Sequence, residues 1–456
     1  MNRRIRGDFQ TPPALAEAVC AHLRAGGCAP AAVLEPTCGT GAFLGAAAAV
    51  FPAARLVGVD LDRVHLATAR AALGGRAELI EADAFALDWE TLLARLPRPL
   101  LVLGNPPWVT SAAIGRLGAD ARPARALPDG VRGLDALTGR SNFDVSEWIL
   151  RRLLAAAGGG SFTLAMLCKL AVARRLIAGH PELGGQLRHI DAGAAFGARV
   201  AATLLVADPG RTGWPEYASM DAAAPFRRLA VVAGELVADA DAAARTGAFA
   251  GRAAPPWRSG VKHDCAAVLE LERDAAGTLR NRAGEPVDVE AELVHPLLKG
   301  GDLAGGRLDA PRALLLPQRH LGEDTAILRE RAPRAWAYLS GHAAAFAARR
   351  SRIYRGRPPF AVFGVGDYSF APWKVAVSGL HKQLGFTLVG PRAGRPVLVD
   401  DTCYFLPYAD EAPARAALAA LRSPQAADFL QARIFWDAKR PIHKGLLDRL
   451  DLARLH

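Results

Sequence analysis

Four consecutive residues, Asn105-Pro106-Pro107-Trp108, combine groups that could hold a planar amine. They follow the apolar run from Leu100 to Leu103 and Gly104, a pattern that predicts a buried strand ending in a rigid loop. The Asn105 amide oxygen and the Pro106 carbonyl are acceptors, and Trp108 offers a flat apolar wall. This loop could bind the exocyclic amino group of a base, although Asn-Pro-Pro is also ordinary turn chemistry.

A glycine-bearing segment, Leu34 to Gly41, lies between a predicted strand and a predicted helix. Gly39 and Gly41 allow the backbone to turn tightly and to approach a ligand. Asp60 ends the next predicted strand, where a carboxylate can accept both hydroxyls of a ribose, and a helix N-cap is its alternative role. The spacing matches neither a dinucleotide fingerprint nor a P-loop, so a sulfonium nucleoside fits better.

Asp83 and Phe85 follow the third predicted strand. Asp83 is placed to accept a hydrogen bond from the adenine amino group of such a ligand, and Phe85 could form a wall of the pocket. An exposed loop acid and a core phenylalanine are the alternative interpretations. These residues extend the candidate ligand site beyond the glycine segment.

In this order the motifs resemble those of the amino-type S-adenosylmethionine-dependent DNA methyltransferases, specifically the gamma-class N6-adenine enzymes of restriction–modification systems. The segment from Gly7 to Pro12 looks like the opening motif that meets the methionine carboxylate, and Asn105 to Trp108 looks like the catalytic motif. Trp108 is a departure from the family pattern, in which Tyr or Phe is commoner at this position. A tryptophan keeps the stacking face but lacks a phenol hydroxyl. The resemblance is strong over residues 7–208 and looser beyond them.

The resemblance implies which residues form the site. Those implied to bind S-adenosylmethionine are Phe9, Thr11, Pro12, Glu35, Thr37, Cys38, Gly39, Gly41, Asp60, Leu61, Asp83, Ala84, Phe85, Asn105 and Phe143. Those implied to act on the target base are Asn105, Pro106, Pro107, Trp108 and Phe196. Trp108 and Phe196 would stack on the two faces of a flipped base. Core packing is the alternative role for Phe196.

The elements that must position these residues alternate between strands and helices up to about residue 210. Strands are predicted at residues 32–34, 55–59, 77–80, 100–103 and 161–167, helices at 12–23, 42–51, 63–73 and 144–157, and a terminal hairpin at 189–206. This alternation indicates an α/β fold with a doubly wound, mostly parallel sheet, and the resemblance implies the class I methyltransferase fold. Residues 112–138 predict a surface loop.

The alternation fades after Pro209, where proline and aromatic residues become more frequent. We therefore expect an S-adenosylmethionine-binding catalytic domain at residues 1–212 and a mixed α+β domain at residues 213–456. The resemblance implies that the second domain recognises the DNA target. Candidate DNA contacts are Arg319, Arg349, Arg350, Arg352, Tyr354, Arg355, Tyr368, Trp373 and Lys374. The segment from Trp257 to Asp264 is a candidate lining of the DNA cleft.

The composition favours a polyanionic partner, because the net charge is +11 and the pI is about 9.7. The strong preference for Arg over Lys weakens this inference, since it is also typical of a biased genome. The six cysteines form no CxxC pair and no histidine cluster completes a zinc site, so we expect free thiols and no metal. The sequence contains no apolar signal core and no membrane span, which predicts a cytoplasmic protein.

The resemblance implies methyl transfer from S-adenosylmethionine to the N6 amino group of adenine in duplex DNA, with base flipping, by a restriction–modification enzyme or an orphan methylase. The expected partner is duplex DNA, with a separate restriction endonuclease as a further candidate, and we expect a monomer. A fused nuclease is not expected, since the first motif begins at residue 7. Two alternatives stay open: a methyltransferase acting on RNA bases or protein glutamine, and a non-catalytic DNA-binding relative.

Overall fold

The computed structural model describes residues 10–110, 144–158 and 161–455. The chain divides into two compact units, Met1–Ala240 and Asp241–His456. Phe9, Phe143 and the predicted loop at residues 112–138 lie outside the described residues.

The first unit alternates strands and helices, as predicted. In chain order its elements are α1 (Pro13–Ala25), β1 (Ala32–Glu35), α2 (Ala42–Val50), β2 (Arg55–Asp60), α3 (Arg63–Leu73), β3 (Ala77–Glu81), α4 (Trp89–Ala94), β4 (Leu100–Gly104), α5 (Val145–Ala157), β5 (Phe162–Lys169), α6 (Leu170–Gly179), β6 (Gly184–Ile190), α7 (Ala192–Phe196), β7 (Ala202–Asp208), β8 (Trp214–Tyr217), β9 (Arg227–Val232) and β10 (Glu235–Val237). The expected hairpin is present as the antiparallel pair β6 and β7, with α7 inserted between the two strands.

Ten strands form one sheet in the order β10-β9-β8-β6-β7-β5-β4-β1-β2-β3. Strands β3, β2, β1, β4 and β5 are parallel, and β7 is antiparallel to its neighbours β5 and β6. Strands β1 and β4 are neighbours, although two strand–helix units separate them in the chain. The winding direction therefore changes between them, so a crevice opens at their carboxyl ends.

Side chains of β4 and β5 alternate between two buried faces. Leu101 and Leu103 of β4 share a core cluster with Val19 of α1 and Phe43 of α2. On the other face, Leu164 of β5 lines a small cavity together with residues of α5 and α6. Because helices cover both faces, β4 is apolar and buried along its whole length. The predicted doubly wound fold is thus present.

The strands after residue 212 continue this sheet instead of opening a new unit. Strand β8 pairs with β6, and β9 pairs with β8. The Glu216 carboxylate of β8 is fully buried and accepts hydrogen bonds from His189 of β6 and Arg174 of α6. The compact unit therefore ends at Ala240, later than the boundary at residues 212 and 213 that the sequence predicts. The three strands are short and partly polar, so their pattern did not indicate a sheet.

The second unit mixes helices and two sheets. Its elements are α8 (Ala240–Arg245), β11 (Arg258–Ser259), α9 (Ala266–Leu269), β12 (Glu270–Arg273), β13 (Leu279–Asn281), β14 (Val294–Leu298), α10 (Gly300–Ala304), β15 (Arg312–Leu315), α11 (Leu328–Arg331), α12 (Pro333–Gly341), α13 (Ala343–Ala347), β16 (Trp373–Ser378), β17 (Thr387–Val389), β18 (Leu398–Val399), β19 (Cys403–Tyr408), α14 (Glu411–Leu421), α15 (Pro424–Gln431) and α16 (Lys444–Leu447). The strand orders are β11-β19-β16-β17 and β13-β12-β15-β14-β18.

The two sheets of the second unit pack on each other through Leu298, Ala376, Val399 and Phe405. Helices α11 to α13 cover the five-stranded sheet, and α14 to α16 cover the four-stranded sheet. This arrangement agrees with the expected mixed α+β architecture.

The segment from Trp257 to Asp264 has a structural role, and the expectation that it lines a DNA cleft stays a prediction. Trp257 is buried in the core, and Ser259 pairs with Tyr404 of β19. The Val261 amide donates to the Val399 carbonyl of β18, so the segment ties the two sheets together. The six cysteines are free thiols, as expected, and among the described residues no helix is long and apolar enough to cross a membrane.

Candidate active site

A cavity of about 590 Å³ opens where the carboxyl ends of β1 and β4 diverge. Its lining comes from the segment before α1 and from the loops after β1, β2 and β4. The lining residues are Gln10, Thr11, Glu35, Thr37, Cys38, Gly39, Ala42, Asp60, Leu61, Asp62, Arg63, His65, Asn105 and Pro107. Nine of the residues implied by the sequence motifs are therefore brought together in one cavity.

The two glycines of the loop after β1 have different roles. Gly39 has φ +51°, and a Cβ atom there would lie 2.6 Å from Gln10 Oε1, so its bare backbone admits the Gln10 side chain. Gly41 has φ +84°, and its Cβ would lie 3.2 Å from Ala69 Cβ of α3. Gly41 therefore serves the packing of α2 on α3, and it does not line the cavity.

Asp60 is held at the end of β2 by backbone donors. Its Oδ2 accepts from the Gly39 amide at 2.7 Å, and its Oδ1 accepts from the Asp62 amide at 2.8 Å. Asp62, and not Asp60, caps α3 by accepting from the Val64 amide, so the N-cap alternative for Asp60 is wrong. Each carboxylate oxygen can accept more than one hydrogen bond, so Asp60 can still receive ribose hydroxyls.

Glu35 places a buried carboxyl at the floor of the cavity. Burial raises the pKa of Glu35 well above its ordinary value, a hydrogen bond from the Leu44 amide partly opposes this, and the nearby Asp60 charge adds to it. Glu35 Oε2 and the Thr37 hydroxyl have no hydrogen-bond partner among the described residues. Two buried acceptors in one cavity are suited to a ligand that carries a cationic donor.

The catalytic loop predicted at residues 105–108 follows β4 directly. Asn105 Nδ2 lies 3.4 Å from Thr11 Oγ1, and Pro107 contacts the same cavity. Trp108 is buried, and its Nε1 donates to the Leu167 carbonyl at 3.3 Å. Pro106 is buried and does not line the cavity. The loop is therefore anchored by its indole while it presents the amide to the cavity.

Contacts with residues of β5 and α5 also hold the loop after β4 in place. The Lys169 ammonium at the end of β5 lies 2.7 Å from Asp144, which caps α5. The Val145 amide donates to the Val109 carbonyl at 2.9 Å, one residue beyond Trp108. These contacts fix the chain on the far side of the catalytic loop.

Trp108 and Phe196 lie against each other. Their ring centroids are 5.1 Å apart and their planes make an angle of 73°. Phe196 is half-buried at the end of α7, and neither ring lines the cavity. The two side chains are adjacent, as implied, although no gap for a base separates them.

Asp83, Ala84 and Phe85 do not line the cavity. Asp83 accepts from the Phe85 amide at 2.8 Å, the Ala84 carbonyl accepts from Trp89 Nε1, and the Phe85 ring contacts Trp148. Their cofactor role stays a prediction. Pro12 also lies off the cavity, because it forms the turn that starts α1.

The cavity also includes residues that the sequence did not single out, namely Gln10, Ala42, Asp62, Arg63 and His65. Gln10 belongs to the quoted opening motif, and its Oε1 accepts from the Thr40 amide and hydroxyl, both at 3.1 Å. His65 Nδ1 lies 3.7 Å from Asp60 Oδ1. The position of His65 in the first turn of α3 could have indicated that it lines the cavity, since side chains there face the end of β2.

Comparison with known proteins identifies the group to which the chain belongs. It is 36% identical over 464 residues to the Type II methyltransferase M.NspV of Nostoc sp. (strain ATCC 29411 / PCC 7524), covering 98% of this chain and 96% of that protein. The chain belongs to the type II methyltransferases. A second methyltransferase of this type, M.XamI of Xanthomonas campestris pv. amaranthicola, is 30% identical over 190 residues, 40% of this chain and 35% of that protein. No family model matches.

The fold of this methyltransferase also occurs in a solved structure. The Type IIL restriction-modification enzyme MmeI, determined in complex with DNA, superposes with a TM-score of 0.55 and 11% sequence identity. The match covers 92% of this chain and 61% of MmeI. The likeness confirms the predicted fold class, and the relatives confirm the restriction–modification type of methyltransferase.

Proposed function

We propose that this methyltransferase transfers a methyl group from S-adenosylmethionine to the N6 amino group of adenine in duplex DNA. The observation that carries the proposal is the presence of Asn105 in the same cavity as Glu35 and Asp60. An amide acceptor beside two carboxyl groups suits a site where an aromatic amine meets a cationic nucleoside. The type II methyltransferase relatives support DNA as the substrate.

The residues of the cavity fit S-adenosylmethionine. Its volume lies in the range of small-molecule sites. Asp60 would accept the ribose hydroxyls, and the buried acceptors Glu35 Oε2 and Thr37 Oγ1 would receive the ammonium group. Leu61, whose side chain is exposed at the rim, would cover the adenine. When bound, the cofactor supplies an electrophilic methyl group attached to a sulfonium.

The protein's own contribution is to polarise and orient the amine. The Asn105 amide oxygen and the Pro106 carbonyl would accept the two N–H bonds, which concentrates the nitrogen lone pair opposite the methyl group. Asn105 and Pro106 would hold the amine in this orientation while it takes up the methyl group that the bound cofactor would supply, and the nitrogen would then lose a proton to solvent. An aromatic amine treated in this way needs no strong base.

The target amine lies inside the DNA stack, so we propose that the base is turned out of the helix. Trp108 and Phe196 would then stack on it, at about 1–3 kcal/mol per base. In the structure their rings touch, so one of them must move to admit a base between them. We propose that Phe196 is the one that moves, because it is half-buried, whereas Trp108 is buried and its Nε1 donates to the Leu167 carbonyl.

We propose that the second unit holds the duplex, but two of the candidate contacts are used internally. Lys374 is 1% exposed, and burial lowers its pKa to about 7. Arg349 is half-buried and donates to the carbonyls of Ala361, Pro359 and His263. The Lys374 ammonium is therefore not available to a phosphate, so the expectation for Lys374 is not supported. Arg349 stays a candidate, since a guanidinium has five donors. Arg319, Arg350, Arg352 and Arg355 are exposed and stay candidates.

A second cavity, of about 640 Å³, favours another set of phosphate contacts. We call it the arginine groove; its rim carries Arg273, Arg312, Arg392 and Arg395. Arg392 donates to the Leu308 carbonyl and Arg395 to the Val294 carbonyl, which holds both guanidinium groups in place. A guanidinium has five donors, so these bonds leave others for phosphate oxygens.

Long-read sequencing of DNA from cells that express the wild type or Asn105→Ala tests the proposal. The wild type should leave N6-methyladenine in one sequence context, and the variant should leave none. The melting temperature of Asn105→Ala, compared with that of the wild type, provides the control for a folded protein. Methylation that persists in the variant, or that falls on RNA or protein instead, would contradict the proposal.

A further inference from the structure

We infer that Thr11 is a positioning residue for the Asn105 amide, an inference that rests on the proposed function. Thr11 Oγ1 accepts from Asn105 Nδ2 at 3.4 Å, although 94 positions separate the two residues in the chain. Both side chains line the same cavity. The contact joins the segment before α1 to the loop after β4.

The contact bears on the terminal side-chain torsion of Asn105, which decides whether the amide oxygen or the NH2 group faces the target amine. An amide has an acceptor oxygen on one side and a donor NH2 group on the other, and a half turn exchanges them. An NH2 group facing the target amine would place donor against donor. In the structure Thr11 accepts from the nitrogen, so the oxygen lies on the other side, from which an amine can donate to it.

Thr11 is itself held from both directions along the chain. On one side, Gln10 Oε1 accepts from the Thr40 amide and hydroxyl of the loop after β1. On the other side, the Pro12 carbonyl accepts from the Leu15 and Ala16 amides at the start of α1. A side chain fixed in this way can orient its partner before the substrate arrives. Two successive residues thus link the cofactor loop to the catalytic amide.

Thr11→Val tests the inference, because it removes the hydroxyl at nearly constant volume, whereas Thr11→Ser keeps the hydroxyl. We expect the single-turnover rate of DNA methylation to fall roughly 3- to 10-fold in Thr11→Val, which corresponds to the loss of one hydrogen bond. Thr11→Ser should restore the rate. The rate is measured at saturating S-adenosylmethionine, so that a change in cofactor affinity, which calorimetry with S-adenosylhomocysteine reports, does not enter it. Thr68→Val, at an exposed position of α3, is the matched control.

The outcomes separate this inference from the proposed function. A Thr11→Val protein that binds the cofactor product more weakly but methylates at the wild-type rate would overturn the inference, as would a failure of Thr11→Ser to restore the rate. A wild type that methylates no DNA would overturn the proposed function instead. Melting temperatures are recorded for every variant, and Thr11→Ala replaces Thr11→Val if the latter does not fold.

Discussion

Trp108 and Phe196 meet edge to face, with ring centroids 5.1 Å apart. Trp108 is fixed by burial and by the bond from its Nε1 to the Leu167 carbonyl, whereas Phe196 ends a five-residue helix followed by Gly197 in the left-handed region. If a flipped base enters between the rings, as we propose, we expect Phe196 to be the side chain that moves.

We predict that Phe196→Ala lowers methylation and weakens capture of the flipped base, since about 1–3 kcal/mol of stacking is removed. Replacing the target adenine by 2-aminopurine allows the flipped state to be followed by its fluorescence. The signal on binding should be clearly smaller in the variant. Phe51→Leu, a change in the core of the same unit, controls for loss of apolar volume. An unchanged signal would show that Phe196 only packs against Trp108.

The arginine groove predicts a salt-dependent contribution to DNA binding. Arg392→Gln combined with Arg273→Gln should weaken binding several-fold and reduce the slope of log K against log salt by about 0.9 for each phosphate that is no longer neutralised. Fluorescence anisotropy over a salt series measures both quantities. Arg415→Gln, an exposed arginine paired with Glu411 on α14, should leave the slope unchanged. Equal slopes for all three proteins would exclude the groove.

Glu35 predicts a pH-dependent stability. Its raised folded pKa means that stability is lost as the pH rises above the ordinary carboxyl value toward the folded pKa, because only the unfolded chain ionises freely there. Glu35→Gln cannot ionise, so its melting temperature should rise relative to the wild type between pH 5 and pH 8. Its affinity for S-adenosylhomocysteine should fall, since Glu35 can ionise beside the ammonium of the ligand and a glutamine cannot.

Scanning calorimetry across that pH range, with calorimetric titration of the product, measures both effects of Glu35→Gln. Glu17→Gln, at an exposed position of α1, is the matched control. Parallel melting curves for the wild type and Glu35→Gln across the pH range would contradict the assignment of a buried, protonated carboxyl.

The surroundings of Glu216 predict a pH dependence of stability with the opposite sign to that of Glu35. Burial alone would raise its pKa, but hydrogen bonds from His189 and Arg227 and the charges of Arg227 and Arg174 outweigh burial and lower the pKa to about 2. Its contribution to stability is therefore present above pH 4.5 and is lost as the pH falls toward 2. Glu216→Gln should destabilise the first unit by about 3 kcal/mol near neutral pH, because a shared buried anion is removed.

Urea unfolding at pH 7 and at low pH measures this difference, which should shrink on acidification. Glu182→Gln, an exposed carboxylate of the same unit, provides the comparison. A constant difference between wild type and Glu216→Gln at all pH values would rule out the depressed pKa.

The local sequence pattern was sufficient to predict much of the fold and the residues at the centre of the site. The run from Leu100 to Leu103 is apolar throughout because helices cover both faces of β4, and such a run is readable in sequence. Because carboxyl ends of parallel strands share one edge of the sheet, the loops holding Gly39, Asp60 and Asn105 could be expected to meet there. The cavity brings these three residues together.

Other features depend on contacts between distant residues, and only the tertiary structure decides them. The unit extends to Ala240 because Glu216 of a short polar strand is buried among Arg174, His189 and Arg227. Lys374 looks like a phosphate contact until its burial is known. Thr11 reaches Asn105 across the fold. Sequence motifs determine which chemical groups this protein possesses, whereas burial and long-range pairing, which no local pattern encodes, decide which of them are free to act.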